Sequence, residues 1–198
     1  MRIALRADAS EDIGTGHVMR CLALAAELRA GGAECLFVCR ELPGHLAGRI
    51  AQHGFEVDLL PLAEPYFPPH SATDYRGWAQ VPEVADAEQF VAAVQTADVV
   101  IIDHYGFGLK WEQTVRAALR SRLLAVDDLC REHSVEQLLD QNFGRSGADY
   151  GASLSHSPDT EALTGPRYAL LRREFREQRA LLRRSAEPPA MHRLLVTL

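Results

Sequence analysis

Six short runs of nearly uninterrupted apolar residues set the limits on how this chain folds. They are "RIALRAD" (2–8), "CLFVCR" (35–40), "FEVDLL" (55–60), "DVVIID" (98–103), "LLAVDD" (123–128) and "QLLDQN" (137–142). Between them lie "HVMRCLALAAELRA" (17–30), "GHLAGRIAQH" (44–53), "DAEQFVAAVQTA" (86–97) and "LKWEQTVRAALRS" (109–121), whose apolar residues recur at helical spacing. Strands that are apolar on both sides must be covered on both faces, and helices inserted between consecutive strands do that covering. The expected fold class is α/β, a Rossmann-like parallel sheet with flanking helices.

Two segments interrupt the alternation. Residues 61–82, "PLAEPYFPPHSATDYRGWAQVP", hold five prolines and no period. A long irregular connection is expected there, with Tyr66, Phe67, Tyr75 and Trp78 serving either to cover the sheet edge or as a lid over a site. The second interruption follows the helical pattern "ALLRREFREQRALLRR" (169–184), where "SAEPPA" leads into "MHRLLVTL". The last run reads as the first strand of another α/β unit. Residues 1–184 are therefore expected to form one domain and 185–198 a linker and opening strand of a second, so that the chain is the first part of a longer protein.

A formal net charge of −6, with acids interspersed among the arginines and Lys110 as the only lysine, argues against a nucleic-acid surface or a polybasic membrane anchor. The N-terminus lacks the length and cleavage site of a signal peptide, and no stretch is long enough to span a membrane, so the chain reads as cytoplasmic. Cys21, Cys35, Cys39 and Cys130 form no CxxC pair and have no histidines at zinc spacing. Free thiols are expected, with no metal and no cofactor.

Ligands of open parallel sheets bind beyond the C-terminal strand ends, where loops meet helix N-termini. Those ends carry Asp8; Asp103, His104 and Tyr105; Asp127 and Asp128; and Asp140, Gln141 and Asn142. Each alone fits a cap or turn as well as a site. Together they suggest a shared cleft. After the first strand comes "DIGTGHVMRC", in which Gly14 and Gly16 bracket Thr15 and let the backbone turn sharply and approach a ligand closely. The free N–H groups of the following helix favour an anion, and the helix dipole disfavours a protonated His17. A neutral imidazole beside an anionic ligand suits a general base. A dinucleotide fingerprint is not met, because Met19 stands at the third glycine position and the second strand ends in Arg40. A sugar-nucleotide or phosphosugar site fits better.

The motifs "RADAS", "IGTGHVMRCLALA", "CRELPG", "DHYG", "VDDL", "LLDQN" and "GPRYALLRREF", in this order, make the sequence resemble the N-terminal half of the UDP-2,4-diacetamido-2,4,6-trideoxy-β-L-altropyranose hydrolases of pseudaminic acid biosynthesis. The resemblance implies a GT-B-like architecture of two Rossmann-like domains with the site between them. It implies a UDP-sugar substrate attacked by water at the anomeric carbon, with C–O cleavage and inversion. His17 takes the catalytic role, Gly14, Thr15 and Gly16 face the pyrophosphate or sugar, and Asp8, Trp78 and Tyr105 contact the sugar. Asp103, His104, Asp127 and Asn142 complete the expected substrate site. Most of the nucleotide site would come from the C-terminal domain of the same protein, so this chain alone is expected to turn over little or nothing. Two alternatives remain open at this point: a GT-B glycosyltransferase on the same scaffold, and a non-enzymatic partner subunit.

Overall fold

In the computed structural model the described residues are 1–71, 73–155 and 157–181. They build one seven-stranded sheet from β1 (Arg2–Ala7), β2 (Glu34–Arg40), β3 (Glu56–Leu60), β4 (Val99–Asp103), β5 (Arg122–Val126), β6 (Gln137–Asp140) and β7 (Glu161–Thr164). Helices α1 (Gly16–Ala30), α2 (Ala47–Gln52), α3 (Tyr75–Ala79), α4 (Glu83–Val94), α5 (Leu109–Leu119) and α6 (Arg173–Leu181) complete the fold. Every strand pair is parallel and the order is β3-β2-β1-β4-β5-β6-β7. The chain thus winds outward from β1 to one edge, crosses back to β4, and winds outward again. A crevice opens where the direction reverses, beyond the ends of β1 and β4, with Ala7 paired to Asp103.

The two-residue period of the strands divides the core in two. Ile3, Leu5, Phe37 and Cys39 pack under Val18, Cys21, Leu22 and Ala25 of α1, while Ala4, Val38, Val100 and Ile102 face Phe90 and Val94 of α4 and Trp111 and Val115 of α5. Each large buried side chain contributes roughly 1.5–3 kcal/mol, which holds the helices on both faces as the uniformly apolar strands require.

One exception to apolar packing sits on the α4/α5 face. Arg6 is fully buried and binds Asp8 through both terminal nitrogens and Asp86 through Nε and Nη2. Arg40 and the Trp111 indole N–H also donate to Asp86, and the Arg40 backbone N–H donates to Asp8. Burial alone would raise the Asp8 carboxyl, but the Arg6 guanidinium and the His104 ring together outweigh it and hold Asp8 well below the usual carboxylate range. This network fixes α4 against β1 and β2, because removing any partner strands a buried charge.

The sequence reading needs three amendments. A seventh strand, "EALT", joins the edge beside β6; its four residues are half polar and give no apolar run. The proline-rich connection contains α3, started by Asp74, whose side chain accepts from the Gly77 N–H. The expected 169–184 helix is preceded by a 3₁₀ turn at Pro166–Tyr168 and begins at Arg173. Residues 185–198, expected to form a linker and opening strand, lie outside the described residues, and a second Rossmann-like domain is not among them. Among the described residues no helix is long and apolar enough to cross a membrane, and all four cysteines are free.

Candidate functional site

The turn after β1 is held by Ser10, whose Oγ accepts from the Asp12 and Ile13 N–H groups and whose carbonyl accepts from Gly14. Gly14 has φ 76°, a left-handed conformation that a side chain strains, and it swings the chain into α1. Thr15 stands at the N-cap with no side-chain cap bond, and no acid occupies the first turn. The first N–H groups of α1 therefore remain available to an anion. Gly16 is exposed, and a Cβ added to it would meet nothing within 4 Å. A cavity of about 370 Å³ lined by Gly16, Met19, Arg20, Leu170, Leu171 and Phe175 opens beside this turn.

His17 points from the start of α1 to the end of β4. Its Nδ1 lies 2.6 Å from Oδ1 of the fully buried Asp103. A carboxylate only accepts, so this contact assigns the proton to Nδ1 and leaves Nε2 as the acceptor. Arg20, one turn further along α1, donates Nη2 to the same Oδ1 and Nε to Oδ2. Burial would raise the Asp103 carboxyl, but the hydrogen bonds from Arg20 and His17 outweigh burial and hold it below its ordinary value. The result is a carboxylate–imidazole dyad clamped by a guanidinium.

Aromatic rings wall the dyad. The His17 ring meets Tyr105 edge-on at 4.6 Å and Trp78 at 5.9 Å between centroids, which leaves His17 only 7% exposed. Trp78 stacks on Tyr105 at 5.8 Å, and Tyr75 packs against both. Of the aromatics in the 61–82 connection, Tyr75 and Trp78 thus belong to the site, while Phe67 is exposed and Tyr66 donates to Asp12 at the rim. The Tyr105 hydroxyl donates to Asp128 at 2.6 Å; burial, then this bond, pushes it above the usual phenol range, so it stays protonated. Asn142 is exposed and its Nδ2 lies 3.4 Å from the other Asp128 oxygen, which extends the polar chain to the end of β6.

Other residues expected in the site lie beneath it. Asp8 is fully buried and committed to Arg6. His104 is buried and stacked on Phe107 at 4.2 Å. Its Nδ1 accepts from Gly106, and its Nε2 lies 3.4 Å from Asp8. Burial lowers its proton affinity more than Asp8 raises it, so it rests neutral in the floor. Asp127 is buried, accepting from the Arg131 side chain and from two backbone N–H groups of the 127–131 turn. Asp140 accepts from Tyr150 and Asn142, and Gln141 from the Leu170 N–H.

Arg20 and Arg131 stand out beyond the residues expected in the cleft, whereas Asp128 was among the strand-end residues expected there. Arg20 had a signal, since it follows His17 by three residues and shares its helix face. Arg131 had none: it reaches Tyr105 and Phe107 carbonyls from a turn whose path only tertiary packing sets. Among the described residues no group of three or more His, Cys, Asp or Glu side chains is arranged to hold a metal ion.

No family model matches the chain. It is 27% identical over 178 residues, 90% of its length, to the UDP-2,4-diacetamido-2,4,6-trideoxy-beta-L-altropyranose hydrolase of Campylobacter jejuni. The chain spans about half of that relative, 54% of its length.

Proposed function

We propose that this chain is the base-bearing part of a UDP-sugar hydrolase acting on UDP-2,4-diacetamido-2,4,6-trideoxy-β-L-altropyranose. The single observation that carries the reading is the His17–Asp103 contact at 2.6 Å, which assigns the proton to Nδ1 and leaves Nε2 as the proton acceptor. The activity for which the Campylobacter jejuni relative is named supports the substrate. Water gives a proton to His17 Nε2 as its oxygen bonds to the anomeric carbon. The C–O bond on the opposite face breaks, its electron pair leaves with UDP, and the configuration inverts. Asp103 stabilises the imidazolium that forms. UDP is a good leaving group, so one base with stabilisation of the phosphates is enough.

In this reading the open backbone of Gly14, Thr15 and Gly16 receives the phosphates at the start of α1. Trp78 and Tyr105 wall the sugar, Asn142 bounds it through Asp128, and Asp8, His104 and Asp127 hold the floor. The nucleotide is gripped chiefly by a C-terminal domain of the same longer protein, consistent with a relative of which the chain spans only about half. The chain of 198 residues then binds UDP weakly by itself.

The test is UDP release from the UDP-linked sugar by the protein extended past Leu198, in ¹⁸O-labelled water, with His17→Ala beside it. Label is expected on the sugar and not on UDP, with release falling about a hundredfold or more in the variant while its circular dichroism is unchanged. Absence of release by the extended protein, or transfer to an added acceptor in preference to water, overturns the reading.

A further inference from the structure

Asp103 has two suitors. Its Oδ1 accepts from both His17 Nδ1 and Arg20 Nη2, its Oδ2 accepts from Arg20 Nε, and the Cys21 thiol lies 3.6 Å from Oδ2. The carboxylate is fully buried, so no solvent fixes its orientation or shares its charge. A lone carboxylate on an sp³ carbon rotates about χ2 with little resistance. Both oxygens of Asp103 are instead caught in the planar fork of a guanidinium, the geometry for which arginine and not lysine is suited. Arg20 Nη2 also lies 3.2 Å from His17 Nδ1. Two donors approach that closely because they converge on one oxygen.

The same fold contains a histidine placed differently. His133 Nδ1 meets Glu112, and its Nε2 lies 3.6 Å from Asp127. The other Glu112 oxygen accepts only the Ser134 backbone N–H. Both ring nitrogens of His133 therefore face carboxylates, which suits an imidazolium. At His17 one nitrogen faces a carboxylate already shared with a permanent cation. The remaining groups around the ring are uncharged: Trp78 from α3, Tyr105 held as a phenol turned to Asp128, and neutral His104 in the floor. Cys21 faces Asp103, not the ring.

We propose that Arg20 is a positioning residue for His17: it locks the Asp103 carboxylate in line with Nδ1 and takes up part of its charge, so that the ring keeps the Nδ1–H tautomer with Nε2 open. This rests on His17 being the base, and it adds what fixes that base. Arg20 reaches no reacting atom; it acts through Asp103.

The experiment reads ring nitrogens before it reads turnover. The 198-residue chain labelled with ¹⁵N-histidine is compared with Arg20→Gln, Arg20→Lys and Arg20→Ala. Wild type is expected to show a protonated Nδ1 and an unprotonated Nε2 for His17. Arg20→Gln is expected to lose that separation, giving averaged or imidazolium-like signals, while the amide spectrum away from the site is unchanged. Arg20→Lys restores it in part, because it keeps the charge without the fork. The Arg20 side chain is 16% exposed, so added ethylguanidinium can reach the gap in Arg20→Ala and is expected to restore the signals. Wild-type nitrogen signals in Arg20→Gln overturn the proposal, as does the joint failure of Arg20→Lys and of ethylguanidinium added to Arg20→Ala to restore any of the separation.

In the extended protein, Arg20→Gln is expected to lower kcat about ten- to a hundredfold with KM nearly unchanged, and ethylguanidinium to recover part of it. Nitrogen signals that behave as described in a protein that releases no UDP would leave this arrangement standing and remove the hydrolase reading. UDP release undiminished in Arg20→Gln would do the reverse.

Discussion

His133 gives the fold a pH dependence whose size and direction follow from its surroundings. Burial works to strip its proton, but hydrogen bonds and charge from Asp127 and Glu112 outweigh burial and push it up to about 9. Its ordinary value is near 6.5, so the folded state holds the proton about 2.5 pH units more tightly, roughly 3 kcal/mol at 1.36 kcal/mol per unit. The side chain is 2% exposed, so solvent screens little of this. The sign follows from the raised folded value: the contribution is complete below pH 6.5 and is lost progressively as pH rises towards 9. Urea unfolding between pH 6 and 9.5 measures it. With an m-value of about 2 kcal/mol/M, the midpoint should fall by roughly 1.5 M. Buried Cys21 and Cys39 are raised by burial and add a decline of the same sign only above about pH 8.5, where unfolded thiols ionise. Buried His104, whose proton affinity burial lowers, adds a rise of opposite sign that levels off about one unit above pH 6.5, so the interval from about 7.5 to 8.5 belongs to His133. His133→Gln should be less stable at pH 6.5 and flat across that interval. Parallel curves for wild type and variant would refute the reasoning. The consequence reaches the site, because the 127–134 segment that His133 pins to α5 carries Asp128, the partner of Tyr105.

Asp86→Ala removes the common acceptor of Arg6, Arg40 and Trp111, and is expected to cost about 3–5 kcal/mol, measured by urea unfolding or by loss of folded protein. Gly16→Ala should leave thermal unfolding nearly unchanged, since a Cβ there meets nothing within 4 Å, yet raise KM for the UDP-sugar in the extended protein about tenfold by intruding on the anion approach. Trp78→Phe is expected to cost about 1–3 kcal/mol for the volume removed, with no hydrogen bond lost because the buried Trp78 Nε1 has no partner among the described residues; urea midpoints check it.

The parallel sheet was legible because its determinants are local and repeated. A strand such as "DVVIID" has no polar face to expose, and helical period resumes after each strand, so the covering of both faces follows. β7 was not legible for a related reason. Glu161 and Thr164 read as loop residues, and only the open edge of β6 turns "EALT" into a strand. α3 depends on one Asp74 side chain accepting from Gly77 within a segment too short to show a period.

The site was legible in its location and only partly in its depth. Strand order funnels the ends of β1 and β4 to one crevice, so Asp8 and Asp103 are neighbours whatever else varies. Periodicity does not say that both are buried, or that each is held by an arginine. Arg6 lies two residues before Asp8 on the same strand face, and Arg20 three residues after His17 on the same helix face. The first spacing is visible once a carboxylate is known to need a cation, whereas Arg20 and Asp103 are 83 residues apart and meet only through the fold. That requirement also separates the two buried acids: Asp8 spends its oxygens on Arg6 and the Arg40 backbone, whereas Asp103 shares one oxygen between Arg20 and the His17 imidazole. A base at the crevice therefore depends on Asp8 beneath it being fully compensated, since an uncompensated Asp8 would draw on His104 and Arg40 and shift the floor on which His17 and Trp78 rest.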